Sequence, residues 1–285
     1  AEKRGIASDS PQRFRAGMLF SLIHRSMETG DTYVEARDLL EATLELLEKS
    51  RHTELDPAAV AKELTGLIAD DKVQQEGTKI FDNSLYFAEH GIHKNLTRLM
   101  GKNGFKPFPR ADVEVAIAEL ETMSSLTYDD IQKEDIVQAI TNPLFILTGG
   151  PGTGKTTVIN GIIAVYAILH KIDLTGNREE CPVLLAAPTG RAARRMNELT
   201  GLPSATIHRH LGLVEGQEES YRDDYLDADF IIVDEFSMVD TWLANQLFQN
   251  ISSQTQVLIV GDAEQLPSVS PGQVLADLLK IDKLP

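Results

Sequence analysis

The run Gly149-Gly150-Pro151-Gly152-Thr153-Gly154-Lys155-Thr156 constrains this 285-residue chain more than any other feature. Its glycines let backbone N–H groups turn inward around an anion, and Lys155 adds a full positive charge. Apolar residues 144–147 precede the run, and a helix-length stretch, 155–170, follows it. Strand, glycine loop, helix is the arrangement that binds phosphate, because the helix N-terminus supplies further unpaired N–H groups and a partial positive charge. Gly150, Pro151, Gly152, Thr153, Gly154, Lys155, Thr156 and Thr157 are therefore the expected nucleotide cradle, with the Thr156 hydroxyl on Mg²⁺.

The surrounding pattern fits such a loop. Apolar runs at 144–147, 183–187, 230–233 and 257–260 are four or five residues long and do not alternate in polarity, which is how buried parallel strands read. Helix-length stretches at 155–170, 191–199 and 241–250 separate them, so the expected fold is α/β with a doubly wound parallel sheet. The third run ends in Asp234-Glu235. A buried strand delivers its last residues to the carboxyl edge of the sheet, where the phosphate loop also opens. There Asp234 can hold Mg²⁺, and Glu235 can polarise an attacking water as general base. The fourth run ends at Gly261-Asp262, and Gln265 beyond it can donate to a γ-phosphate oxygen while accepting from a water. Lys155, Asp234, Glu235 and Gln265 form the expected catalytic set, with Thr156 and Asp234 as metal ligands.

The first hundred residues follow another pattern. A helix is expected over 13–29, with Phe14, Met18, Phe20, Leu22 and Ile23 as its apolar side and Gly30-Asp31 as its stop. A short strand at 32–34, a leucine-periodic helix from 35, a helix opening at Asp56-Pro57 and a hairpin across Gly77-Thr78 follow. Helix, strand, helix, helix, hairpin is the order of a winged helix. The 57–69 helix carries only Lys62 as a cation, so a nucleic-acid reader and a packing module both remain open. Gly104, Pro107 and Pro109 mark a linker over 101–110, which predicts a mainly helical winged-helix-like domain at 1–105 and the α/β domain at 106–285.

A net charge of −16 argues against a general polyanion binder, so any nucleic-acid surface must be local. The lone Cys181 excludes an intrachain disulfide and fits a reducing compartment, the cytoplasm by default. No apolar run approaches the roughly 18 residues of a membrane span. The opening Ala1-Glu2-Lys3-Arg4 has neither an initiator Met nor a signal region, so a fragment is expected.

Taken with Pro188-Thr189-Gly190-Arg191-Ala192-Ala193, Thr206-Ile207-His208, Asp234-Glu235-Phe236-Ser237-Met238-Val239-Asp240 and Gly261-Asp262 through Gln265-Leu266-Pro267 to Pro271-Gly272, the phosphate loop resembles the motif series of RecD-like superfamily-one DNA helicases. The likeness covers about 128–280. Arg15-Ala16-Gly17 and Gly30-Asp31-Thr32-Tyr33-Val34 look, more loosely, like the extension of the stand-alone type that works without RecB and RecC. The resemblance implies a RecA-like domain, ATP as the nucleotide, and 5′ to 3′ movement on single-stranded DNA in repair or recombination. It implies that Gln132, with Ile136 four residues on, reads adenine; Asp135 stands where the family usually has Ala. It implies that Pro188, Thr189, Gly190, Arg191, Thr206 and His208 approach the DNA backbone. The plainer readings make Arg191, Arg194 and Arg195 a solvated helix face and His208 a buried helix cap. The family completes its ATP site with arginines of a second RecA-like domain, and this chain ends at Pro285, just past the last of these motifs. The chain alone is therefore expected to be a weak ATPase and no helicase, its protein partners open. The alternatives are another phosphate-loop ATPase of AAA+ or kinase type and a nucleic-acid- or protein-binding module.

Overall fold

A computed structural model describes residues 7–51, 54–101, 104–150, 152–174, 182–213, 225–262, 264–281 and 284. Pro151 and Cys181 lie outside the described residues. The chain forms two compact units, one of residues 1–91 with 240–242 and 268–272, the other of 92–239, 243–267 and 273–285. The expected division after 105 is corrected: the units part inside a helix, between Gly91 and Ile92. The reason is packing, because Ile92, Leu96 and Leu99 are buried in the core of the second unit.

The first unit runs α1 (Pro11–Thr29), β1 (Tyr33–Glu35), α2 (Ala36–Arg51), α3 (Pro57–Ala69), β2 (Val73–Glu76) and β3 (Lys79–Asp82), with an antiparallel sheet ordered β1-β3-β2. This is the winged-helix-like order read from the sequence. Phe14, Met18 and Leu22 recur every four residues along α1 and bury one stripe against Leu39, Leu47, Val60 and Leu64. At Gly17 an added Cβ would stand 3.0 Å from Leu47, so α1 and α2 meet closely there. Phe20 and Ile23, read as part of the apolar side of α1, are instead exposed at 56% and 50%. Asp56 caps α3 by accepting from the Ala58 N–H, and Pro57 opens the helix at no hydrogen-bonding cost.

After α4 (Asn83–Met100) the chain runs α5 (Arg110–Ser124), α6 (Asp130–Thr141), β4 (Leu144–Thr148), α7 (Lys155–His170), β5 (Val183–Ala187), α8 (Gly190–Thr200), β6 (Ser204–Thr206), α9 (Ile207–His210), β7 (Phe230–Val233), α10 (Thr241–Gln249), β8 (Gln256–Gly261) and α11 (Val274–Leu278), all in the second unit save the first two residues of α10. Among the described residues the strands form one parallel sheet in the order β4-β8-β7-β5-β6. Both faces are covered, which is why the strands read as unbroken apolar runs. Phe145, Leu147, Leu185, Phe230, Ile232 and Leu258 pack with α5, α6 and α7. Leu144, Ile146, Ala186, Ile231, Val233 and Ile259 pack with α10 and α11 on the other side. Burying each such side chain contributes about 1.5–3 kcal/mol. The fold is an α/β architecture, a parallel sheet covered by helices on both faces with the glycine loop at the end of β4. No described helix is long and apolar enough to cross a membrane.

Candidate active site

The phosphate loop leaves β4 at Thr148 and enters α7 at Lys155. Gly152 and Gly154 take φ of +80° and +86°, the left-handed region that costs glycine least. Gly154 caps α7 without a side chain, so no capping oxygen occupies the first-turn N–H groups. A Cβ at Gly152 would meet nothing within 4 Å. Thr153 steadies the loop through its hydroxyl, which donates to the Gly150 carbonyl at 3.0 Å. Lys155 Nζ donates to the carbonyls of Gly149 and Gly150, the latter at 2.9 Å. Open glycine backbone, uncapped helical N–H groups and a lysine folded over them fit a polyphosphate. The half-buried Thr156 and Thr157 follow on the first turn of α7.

Asp234 and Glu235 directly follow β7, two strands from β4. Glu235 stands at φ +53°, unusual for a residue with a Cβ, and its N–H donates to the Asp234 carboxylate at 2.8 Å. Backbone of this kind costs on the order of 1–3 kcal/mol and concentrates at functional sites. Burial pushes the Asp234 carboxyl up, against the Glu235 N–H and the charges of Lys155 and Arg195, which favour ionisation. Burial also raises Glu235, reinforced by Asp234 and opposed by Arg195 and Lys155. A carboxyl raised chiefly by burial and further by a neighbouring carboxylate is the kind of perturbed group that gathers at functional sites.

Strand β8 lies between β4 and β7, so the loop carrying Gln265 emerges between the phosphate loop and the two acids. Gln265 is exposed and its amide donates to the buried Asp262 at 3.2 Å. Asp262 also accepts from the Glu264 N–H at 3.0 Å. Gln132 comes to the same place from α6: its amide nitrogen lies 3.0 Å from where a Cβ on Gly154 would stand. The half-buried Asp135 is pushed up by burial and by Asp129 and Glu134.

The other residues of interest line the far end of the same edge. Pro188, Thr189, Gly190 and Arg191 leave β5, and Thr206 and His208 leave β6, whose Thr206 pairs in register with Ala187. Thr189 and Thr206 are the N-caps of α8 and α9, accepting from the N–H groups of Ala192 and Arg209, each at 3.2 Å. His208 is exposed, which overturns its reading as a buried cap. The histidine drawn further from solvent is the half-buried His210, whose Nε2 lies 3.0 Å from the Leu185 carbonyl oxygen and whose pKa burial lowers. Arg195, which the sequence reading named only with the solvated face of α8, carries a charge that reaches both Asp234 and Glu235. Its signal was the i, i+4 spacing from Arg191, which sets both arginines on one helical face.

The α/β part of the chain is similar in sequence to known proteins. Residues 132–271 match the family described as an AAA domain. The RecD subunit of the RecBCD enzyme of Mycolicibacterium smegmatis is 38% identical over 161 residues, 50% of this chain and 28% of that protein. The ATP-dependent RecD2 DNA helicase of Deinococcus radiodurans is 40% identical over 138 residues, 47% of this chain and 18% of that one. A solved Pif1 helicase from Candida albicans aligns over 50% of this chain and 34% of its own at 24% identity, with a TM-score of 0.36, too distant to bear on function. The chain thus spans under a third of the length of the first two relatives. Over its α/β unit, this chain is similar in sequence to these RecD and RecD2 proteins.

Proposed function

We propose that the α/β unit is the nucleotide-binding half of an ATP-dependent 5′ to 3′ DNA helicase motor, acting in the cytoplasm on single-stranded DNA in repair or recombination. The observation that carries this reading is the order of loops along one sheet edge. The phosphate loop, the Gln265 loop and the Asp234–Glu235 turn leave neighbouring strands β4, β8 and β7, and the strand-contacting loops leave β5 and β6. Adjacent strands lie about 4.8 Å apart, so the whole row spans roughly 20 Å. Nucleotide chemistry and a DNA backbone can therefore meet on one rigid edge. The names of the relatives support the same reading.

In this mechanism Lys155 and the N–H groups of Gly152, Thr153 and Gly154 hold the β- and γ-phosphates, and Gln132 reads the adenine. Thr156 and Asp234 would hold Mg²⁺, which would neutralise charge on the phosphates. Glu235 takes the proton of the attacking water, and Gln265 orients that water and contacts the γ-phosphate. Pro188, Thr189, Gly190, Arg191, Thr206 and His208 bear on the DNA backbone. A second RecA-like domain supplies the arginines that complete the site, worth about 10³–10⁵ in rate.

The test is ATP hydrolysis with and without single-stranded DNA, measured on this chain and on one extended by a second RecA-like domain, with Lys155→Ala as the blank. Stimulation by DNA in the longer protein alone is expected. A longer protein that hydrolyses ATP without regard to DNA would overturn the helicase reading in favour of another phosphate-loop ATPase.

A further inference from the structure

Helix α6 brings Gln132 to the phosphate loop, and the contacts that hold that end of the helix lie outside every loop described above. The inference rests on the nucleotide-site reading. Gln132 Oε1 accepts from the Asp129 N–H at 3.1 Å, while the Gln132 N–H donates to the Asp129 carboxylate at 2.8 Å. The first bond fixes the amide's orientation. Turned over, the amide would set its NH₂ group against the Asp129 N–H, donor against donor. Nε2 is thereby left facing Gly154. A Gln amide pairs with adenine by donating to N7 and accepting from the N6 amino group; guanine offers O6, an acceptor, in that second place. An amide held in one orientation therefore discriminates between the two bases, and one free to turn does not.

The residue before Asp129 is in turn held from α5. Glu121 accepts from the N–H of the preceding residue, Tyr128, at 2.8 Å, and Lys133 Nζ lies 3.0 Å from the same carboxylate oxygen. These two contacts hold the Glu121 carboxyl below its ordinary pKa, so it is ionised at neutral pH. Glu121 thus joins α5, the connecting loop and the first turn of α6. The Tyr128 ring is buried, its hydroxyl 2.8 Å from where a Cβ on Gly161 of α7 would stand. The far end of α6 is fixed separately: the buried Gln256 amide donates to the carbonyls of Ala139, Ile140 and Asn142. With that end pinned by Gln256, the Gln132 end is tied to α5 by two contacts, Arg110, which donates to Glu134, and the Glu121 clasp, and only the clasp reaches the backbone beside Asp129.

We propose that Glu121 is a positioning residue for base selection. By holding the Tyr128 N–H it sets the Asp129 amide that orients Gln132, and so makes the site prefer adenine over guanine nucleotides. Glu121 itself touches no ligand.

The experiment is equilibrium binding of ATP, GTP and inorganic tripolyphosphate to the 285-residue chain and its Gln132→Ala, Glu121→Ala and Glu121→Gln variants. Glu121→Ala is expected to lower the ATP-over-GTP preference about tenfold, the effect of one well-made hydrogen bond, and to leave tripolyphosphate binding unchanged. Glu121→Gln keeps an acceptor for the Tyr128 N–H and should hold the preference within about twofold of the starting protein. Equal weakening of all three probes by Glu121→Ala would reduce Glu121 to a support of the fold and overturn the proposal. It also fails if Gln132→Ala removes the preference while Glu121→Ala does not. A preference untouched by Gln132→Ala would instead sink the base-reading assignment, and the Glu121 role with it, while tripolyphosphate binding reports separately on the phosphate loop.

Discussion

The two ends of one sheet edge solve opposite electrostatic problems. At β4, β8 and β7 the charged groups are partly withdrawn from water: Asp234 and Glu235 both titrate above their ordinary range, and Asp262 is buried. At β5 and β6 the polar groups are helix caps and exposed side chains, with Arg191, Arg194, Arg209 and His208 in solvent. Chemistry on a phosphate needs groups whose charge is strengthened by exclusion of water. Holding a phosphodiester backbone needs only solvated cations and free backbone donors, so the proposed DNA contacts are compatible with an acidic chain. Substitutions at the first end should therefore change rate, nucleotide affinity and pH dependence, and at the second end salt dependence.

The largest break should come from Glu235→Gln, which removes the proposed base without changing shape. In a protein that joins this chain to a second RecA-like domain, DNA-stimulated turnover should fall by about 10²–10⁴ with ATP affinity kept. A wild-type rate would remove Glu235 from the chemistry. Because burial raises its pKa, the acid limb of the pH–rate profile should lie above the ordinary glutamate range, activity being lost as the pH falls through it. Next comes Lys155→Ala, which deletes the only full charge in the phosphate loop. Nucleotide affinity measured by titration calorimetry should drop about a hundredfold; unchanged binding would mean that the loop holds something else. At the opposite end, Arg191→Ala should weaken single-stranded DNA binding roughly fivefold at low salt. It should also reduce the slope of log affinity against log salt by about 0.7, with ATP affinity untouched. An unchanged slope would leave Arg191 as part of a solvated face.

These two ends were not equally legible in the sequence. The nucleotide end announces itself because its residues are adjacent in the chain and follow apolar runs: Gly149 to Thr156 after β4, and Asp234-Glu235 after β7. Strand β6 was not foreseen, since Ser204-Ala205-Thr206 is a three-residue, half-buried strand pairing only with β5 and has no apolar run to show. Helix α6 was also missed, although Asp129 and Gln132 form a capping box at its start. Its buried residues, Ile136, Val137, Ala139 and Ile140, crowd into the last two turns and leave a charged first half without periodicity. The domain division was misplaced because a glycine- and proline-rich stretch reports where backbone is irregular, whereas the packing of Ile92, Leu96 and Leu99 is a tertiary fact. The reach of Arg195 stayed hidden for a related reason: its helical phase was readable, but its nearness to Asp234 depends on β5 and β7 being sheet neighbours.

The smallest effect separates the two ends most cleanly, because it concerns stability alone. A carboxyl whose pKa is raised on folding favours the folded state while protonated, and loses that contribution as the pH rises through the folded value. At pH 7 Asp234 is therefore a net cost to folding, with desolvation outweighing the bond from the Glu235 N–H and the charges of Lys155 and Arg195. Asn at this position keeps an acceptor for that N–H and removes the buried charge. Asp234→Asn should raise the thermal midpoint at pH 7 by roughly 2–4 °C, the shift about 1 kcal/mol produces in a unit of this size. The gain should shrink as the pH falls below the carboxylate range, where the native carboxyl is also neutral. Arg191→Ala, at an exposed position, should leave the midpoint unchanged at every pH. A lower midpoint for Asp234→Asn at pH 7 would mean that the attraction of Lys155 and Arg195 outweighs the burial. The two ends of the edge would then differ in geometry and not in the stability given up to hold charge out of water.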